Sequence, residues 1–176
     1  MRHQNFTSRR LVAELVEERH AECVHPIVQD PALYTFIPDE PPSLLQLQER
    51  YRFWQRRVSP DGTEYWLNYV LFLSASNECV GTLQAGVNLT TREASVAYMI
   101  TTSCQKRGLG AEALGALINH LQTHYDVRVI KAWIDTRNRA SIRLVERLGL
   151  SQIEFIKEAD FFKGEKSDEY VFSLTL

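Results

Sequence analysis

Three successive runs with strand periodicity, joined by turns too short to hold a crossover, constrain this chain more than any other feature. Tyr65–Leu73, Cys79–Val87 and Ala94–Ile100 are β-rich, and turn residues fill Ser74–Asn77 and Asn88–Arg92 between them. Such runs pair as an antiparallel meander. The period then changes: Leu109, Ala113, Leu114, Leu117, Ile118 and Leu121 form one apolar helical stripe. A strand over Val127–Ile134 follows, then polar Asp135–Arg139, then a short helix carrying Ile142, Val145 and Leu148 that Gly149 closes. A meander continued by helical crossovers gives a mixed sheet and an α/β fold.

The flanks fit the same plan. Thr7–Leu15 reads as an edge strand, and Glu18–Val28 as a helical stretch that Pro26 bends or ends. Pro38–Pro42 is a stiff loop, after which Ser43 caps a helix with an apolar stripe of Leu44, Leu47, Tyr51, Trp54 and Val58. Gln152–Ile156 and Tyr170–Leu176 read as two last strands around the Lys163-Gly164 turn. The element order is β-α-α-β-β-β-α-β-α-β-β.

At 176 residues the expectation is one domain, residues 1–176, with a core that needs no covalent staples. Twenty basic against 22 acidic residues give a net charge of -2, without the electrostatic footprint of a nucleic-acid or anionic-membrane binder. The longest apolar run, Tyr69–Leu73, is too short to span a bilayer, and the charged opening reads as no secretory signal. Cys23, Cys79 and Cys104 are widely spaced and form no C-x-x-C, so reduced thiols in a cytoplasmic protein are expected, with no metal site.

Chemistry concentrates where the meander meets the long helix, in Gln105-Lys106-Arg107-Gly108-Leu109-Gly110-Ala111. Glycines there let a bulky anion approach the backbone, and the free amides of a helix's first turn favour phosphate. A Walker A loop is excluded, because no Gly-Lys-Ser/Thr is present. Gly108 to Ala113 matches G-x-G-x-x-A in letters, yet that dinucleotide fingerprint belongs at the first turn of a repeated βαβ sheet. A plain helix N-terminus is the remaining alternative.

The same run resembles the (Arg/Gln)-x-x-Gly-x-(Gly/Ala) signature of the GNAT superfamily of acyl-CoA N-acyltransferases. A second block, Asn138-Arg139-Ala140-Ser141 through Leu148-Gly149-Leu150, resembles that family's Asn-x-x-Ser…Leu-Gly-Phe segment. Ser8-Arg9-Arg10-Leu11 and the stretch from Asp30-Pro31 to Pro38 look like its Rim branch, which includes ribosomal-protein N-terminal acetyltransferases. The resemblance implies a mostly antiparallel mixed sheet, helices on both faces and a splayed central strand pair.

It also implies roles. Main-chain groups of Met99, Ile100 and Thr101 would pair with the pantetheine of acetyl-CoA, an amide of Met99 or Ile100 polarising the thioester. Gln105, Lys106, Arg107, Gly108, Leu109, Gly110 and Ala111 would hold the pyrophosphate. Asn138 would bind the pantetheine arm, and Ser141 would protonate the leaving thiolate. Two family features are missing: Val145 stands where a tyrosine acid is usual, and Ser95 where Rim-like chains often have glutamate. Without an evident base a low-pKa acceptor is expected, such as a peptide N-terminus or an aminoglycoside-like amine. A lysine amine of pKa about 10.4 is neutral about once in 2,500 molecules at pH 7, an α-amine near 7.8 about once in seven.

Asp39 and Ser95 are the candidate acceptor-binding residues, Asp39 together with Glu40 if the proline loop folds over the cleft. The expected enzyme acts as a monomer or homodimer, and Cys104 is assigned no nucleophilic role. A silent CoA-binding sensor or scaffold is the alternative. His120 and His124 read as surface residues, and His20, Cys23 and His25 as structural. Tyr51, Trp54, Trp66, Tyr69 and Trp133 read as packing.

Overall fold

The structure, a computed structural model, describes residues 3–176. β1 (Phe6–Thr7) and β2 (Leu11–Leu15) replace the single expected edge strand, because Ser8 turns the chain. Ser8 N–H donates to Leu11 O at 2.8 Å, and Leu11 N–H to Ser8 Oγ at 3.2 Å. A 3-10 turn (Glu18–His20) leads into α1 (Ala21–Val28), which runs only two residues past Pro26. α2 (Leu44–Trp54) opens on the expected Ser43 cap, where Ser43 Oγ accepts from Gln46 N–H and Gln46 Oε1 from Ser43 N–H.

β3 (Glu64–Leu73), β4 (Cys79–Asn88) and β5 (Glu93–Ile100) form the meander. α3 (Leu109–Tyr125), β6 (Val129–Asp135) and α4 (Arg139–Arg147) follow, then a hairpin of β7 (Ser151–Phe162) and β8 (Glu165–Thr175). The hairpin arms are longer than expected. Their outer halves are rich in charge and mostly exposed or half-buried, and the register slips between Ile156 and Asp160, where Glu158 has φ +51°, so no apolar alternation marks them.

One eight-stranded sheet results, in the order β1-β2-β3-β4-β5-β6-β8-β7. Every neighbouring pair is antiparallel except β5 and β6. Alternation along β3 feeds two cores. Leu67, Tyr69 and Leu71 pack with the expected α3 stripe and with Ile142 and Val145 of α4. Val70 and Phe72 pack on the other face with Val24 of α1 and Leu47 and Tyr51 of α2. Each large side chain buried this way contributes about 1.5–3 kcal/mol.

His120 corrects the surface reading. It is 4% exposed, its ring centroid 4.6 Å from Phe6 and 5.7 Å from Tyr125, because residue 120 falls on the same helical stripe as Ala113 and Leu117.

Candidate active site

The parallel pairing of β5 with β6 is short. Glu93, Ala94 and Ser95 lie opposite Val129, Ile130 and Lys131, and there the register stops. Lys131 Nζ donates to Glu93 Oε2 at 2.9 Å and pins this closed end. From Val96 to Ile100 the two strands diverge, as the resemblance implied.

Main-chain parity decides what faces the gap. Thr101 N–H donates to Val80 O at 2.9 Å, so Thr101 turns its main chain to β4. Alternation then turns Met99 to β4 and Tyr98 and Ile100 to the gap. Of the three expected pantetheine residues, Ile100 alone therefore presents its amide there, joined by Tyr98; its carbonyl accepts from Gln105 Nε2 at 3.0 Å. β4 approaches β5 so closely that a Cβ on Gly81 would lie 2.0 Å from Met99 O.

The loop ends at the same place. Glu112 N–H makes the first helical bond of α3, to Gly108 O at 3.1 Å. The amides of Leu109, Gly110 and Ala111 thus open the helix without intrahelical partners, at the positive end of its dipole. Lys106 and Arg107 stand exposed beside them. The two glycines differ in purpose. Gly108 has φ +78°, a left-handed conformation that a side chain would strain. Gly110 lets α3 lie close to its neighbours, since its Cβ would stand 3.0 Å from Leu144 Cδ1 and 3.4 Å from Tyr98 Cε2. Anion access therefore explains Gly110 less well than packing does.

Arg10 joins this loop, although its letters alone marked only a resemblance. Its Nε donates to Glu112 Oε2 at 2.6 Å, its amide to Glu112 Oε1 at 2.7 Å and its Nη1 to Arg107 O at 3.0 Å. Burial alone would raise the Glu112 pKa; hydrogen bonds from Ser8 and Arg10 outweigh it and hold the carboxyl below its ordinary value.

α4 closes the other side. Asn138 caps it, with Oδ1 accepting from Ser141 N–H at 3.1 Å, so its oxygen has a structural partner and its Nδ2 is the group left for a ligand. Ser141 Oγ accepts from the Tyr98 hydroxyl at 3.0 Å, across the gap from β5 to α4. Burial raises the Tyr98 pKa, against the Ser141 bond, so the phenol stays protonated at neutral pH. Val145 is fully buried in the core.

On the α1/α2 face a groove of about 440 Å³ meets the gap, bounded by Ser95, Val96 and Ala97 of β5 and Trp133 of β6. Trp54, Trp66 and Glu64 also line it. Trp133 is 45% exposed, which corrects its reading as packing, and Trp66 is half-buried in the groove wall; Trp54 packs on the second core as expected while one side lines the groove, and Tyr51 and Tyr69 are core residues. Asp39 and Glu40 line a separate cavity of about 80 Å³ that shares Trp54, Asn68 and Gln84 with the groove. Asp39 and Ser95 are thus brought to adjoining cavities, not to one.

An open sheet that parts between two parallel strands, with helix amides at the wide end, defines a class that holds an extended, phosphate-bearing molecule in its seam. A family model described as an acetyltransferase (GNAT) domain matches residues 10–151. The chain belongs to the GNAT acetyltransferase family. It is 26% identical over 109 residues to an uncharacterized N-acetyltransferase p20 of Bacillus licheniformis, a match that spans 60% of each chain. Among solved structures it resembles RimL, a ribosomal L7/L12 alpha-N-protein acetyltransferase in complex with coenzyme A. There the TM-score is 0.86 and the identity 21%, with 98% of both chains covered. It also resembles a spermidine N-acetyltransferase from Vibrio cholerae in complex with CoA and spermine (TM-score 0.82, 17% identity, 94% of this chain and 95% of that one).

Proposed function

We propose that the protein transfers the acetyl group of acetyl-CoA to a primary amine by direct attack, with no covalent enzyme intermediate. The observation that carries this reading is the convergence of unpaired β5 main chain, the α3 amides and the Tyr98–Ser141 pair on one gap. These residues fit a diphosphate joined to an extended amide chain. When bound, acetyl-CoA supplies an activated thioester carbonyl.

The amides of Leu109, Gly110 and Ala111, with Lys106 and Arg107, hold the diphosphate. Gln105 fixes the loop to Ile100. Asn138 Nδ2 binds the pantetheine arm, and the inward amides of Tyr98 and Ile100 meet the carbonyl oxygen as its charge grows. One preorganised donor of that kind is worth about 3–4 kcal/mol. Ser141 Oγ passes a proton to the departing sulfur as the Tyr98 hydroxyl passes one to Ser141, and the proton shed by the acylated amine returns to Tyr98 through solvent. That hydroxyl pair weighs against a silent CoA-binding module, since it supplies the acid that Val145 cannot.

RimL is described as acting on a protein α-amine and the Vibrio cholerae enzyme on spermidine, which supports an amine acceptor here. The near-neutral charge favours neither nucleic acid nor membrane as partner, and the reading takes a cytoplasmic single-domain enzyme, monomer or homodimer. Thiol release from acetyl-CoA with a pooled amine library tests it. Release with matching acetylated product is expected; binding of coenzyme A without release from any amine overturns it.

A further inference from the structure

All three tryptophans of the chain line the groove that meets the gap. Trp66 and Trp133 stand on the sheet face and Trp54 at the end of α2, and indole surface left open in this way marks a binding site. Two of them, Trp54 and Trp66, are also braced. The Arg50 guanidinium lies 5.7 Å from the Trp54 ring centroid, Tyr51 stacks on Trp54 at 5.8 Å, and Phe53 meets Trp66 edge-on at 5.9 Å.

One carboxylate lies among the indoles. Trp66 Nε1–H donates to Glu64 Oε2 at 3.1 Å, which orients the carboxylate and leaves its other oxygen for a ligand. Gly86 opens the space between the strands: a Cβ there would stand 2.8 Å from Ser95 Oγ and 3.7 Å from Glu64 Oε2. Glu64 on β3 therefore places negative charge beside Ser95 of β5. Ser95 is three residues from Tyr98, about 10 Å along the strand, so an amine between them lies within the field of Glu64 and in reach of the gap.

We propose that this groove selects a primary amine borne on a bulky apolar or aromatic body with no carboxylate beside the amine. The inference rests on the acetyltransferase reading and names the acceptor of that site. The indoles take the apolar body and, through their ring faces, favour the neighbouring ammonium. Glu64 draws the ammonium inward and repels a carboxylate in the same place. The Asn68 and Gln84 side chains line the same groove and can hydrogen-bond an adjacent amide, as a peptide N-terminus would present.

Thiol release from acetyl-CoA is measured with phenylalaninamide, 2-phenylethylamine, glycinamide and phenylalanine. The two aromatic amines without a carboxylate are expected to exceed the other two by about tenfold or more in kcat/KM. The better of the pair tells whether the source is a peptide N-terminus or a free arylalkylamine. Trp133→Ala should reduce the phenylalaninamide-to-glycinamide ratio to within about threefold. Glu64→Gln, whose carboxamide oxygen can still accept from Trp66, should raise amine KM about tenfold with acetyl-CoA KM unchanged.

Indole fluorescence comes wholly from this groove, so titration with phenylalaninamide in the presence of coenzyme A reads acceptor binding without turnover. Saturation, weakened about tenfold by Glu64→Gln, supports the groove even if no amine releases thiol, an outcome that sinks only the transferase reading. Thiol release at equal efficiency on glycinamide and phenylalaninamide, or amine KM and fluorescence unchanged in Glu64→Gln, overturns the inference.

Discussion

The Tyr98 hydroxyl donates to Ser141 Oγ at 3.0 Å, and this bond joins β5 to α4 across the gap where the sheet comes apart. In the proposed reaction these two hydroxyls in series supply the proton of the departing thiolate. Ser141→Ala should lower kcat by about 10- to 100-fold with little change in acetyl-CoA KM. Tyr98→Phe should cost less, since water can refill Ser141. The double variant should be no worse than Ser141→Ala alone, a non-additivity that steady-state rates on all four proteins check.

Three glycines should rank by what a Cβ would meet. Gly81→Ala drives a methyl into Met99 O and should destabilise by about 3 kcal/mol or more. Gly108→Ala strains a left-handed residue and should cost about 1–2 kcal/mol. Gly110→Ala gains about 1 kcal/mol of helix propensity against a contact that the end of Leu144 can relieve, so its stability should barely move. Urea midpoints give the order.

His120 should make the protein acid-sensitive well above the carboxylate range. Burial first, then the charge of His124, lower its pKa to about 4, and its Nε2 has no hydrogen-bond partner among the described residues. Between that value and the ordinary 6.5 the unfolded chain binds a proton that the folded chain refuses. Stability is therefore complete above about pH 6.5 and falls as pH drops towards 4, by about 3 kcal/mol in all. His120→Phe, in a nest of aromatic rings, should flatten this limb. Thermal melts at pH 5 and pH 8 should differ far less in the variant than in the parent.

Glu112 should matter for assembly of the loop more than for net stability. Its partner Arg10 is 44% exposed, so the ion pair itself is worth under about 1 kcal/mol. Glu112→Gln keeps acceptors for Ser8 and for the Arg10 amide but releases the guanidinium that holds Arg107 O. Coenzyme A affinity should change by more than the melting temperature predicts. The Glu112 carboxyl is held below its ordinary pKa, so its contribution is present above about pH 4.5 and is lost as pH falls below it.

Much of this was readable from letters, and the misses have physical causes. The α3 stripe and the Ser43 cap were legible because helical period and capping chemistry are local. His120 was not, although it falls seven residues after Ala113 on that stripe, because a histidine's polarity masks its position. Trp133 alternates with buried Ala132 and Ile134, and only the divergence of β6 from β5 shows that its face is open. Which β5 amides face the gap depends on a single register, fixed by Thr101 and Val80. Glu64 lies 31 residues from Ser95 in sequence, and only the pairing of Trp66 with Gly86 and of Gly86 with Ser95 brings them together. No local pattern carries that.

Residue-resolved amide exchange, with and without coenzyme A, tests the central claim most directly. The Tyr98 and Ile100 amides should exchange readily in the free protein and slow by about tenfold or more when coenzyme A is added, together with Leu109, Gly110 and Ala111. Thr101, already bonded to Val80, should be slow in both states. Protection that appears elsewhere while Tyr98 and Ile100 stay unchanged would contradict the account.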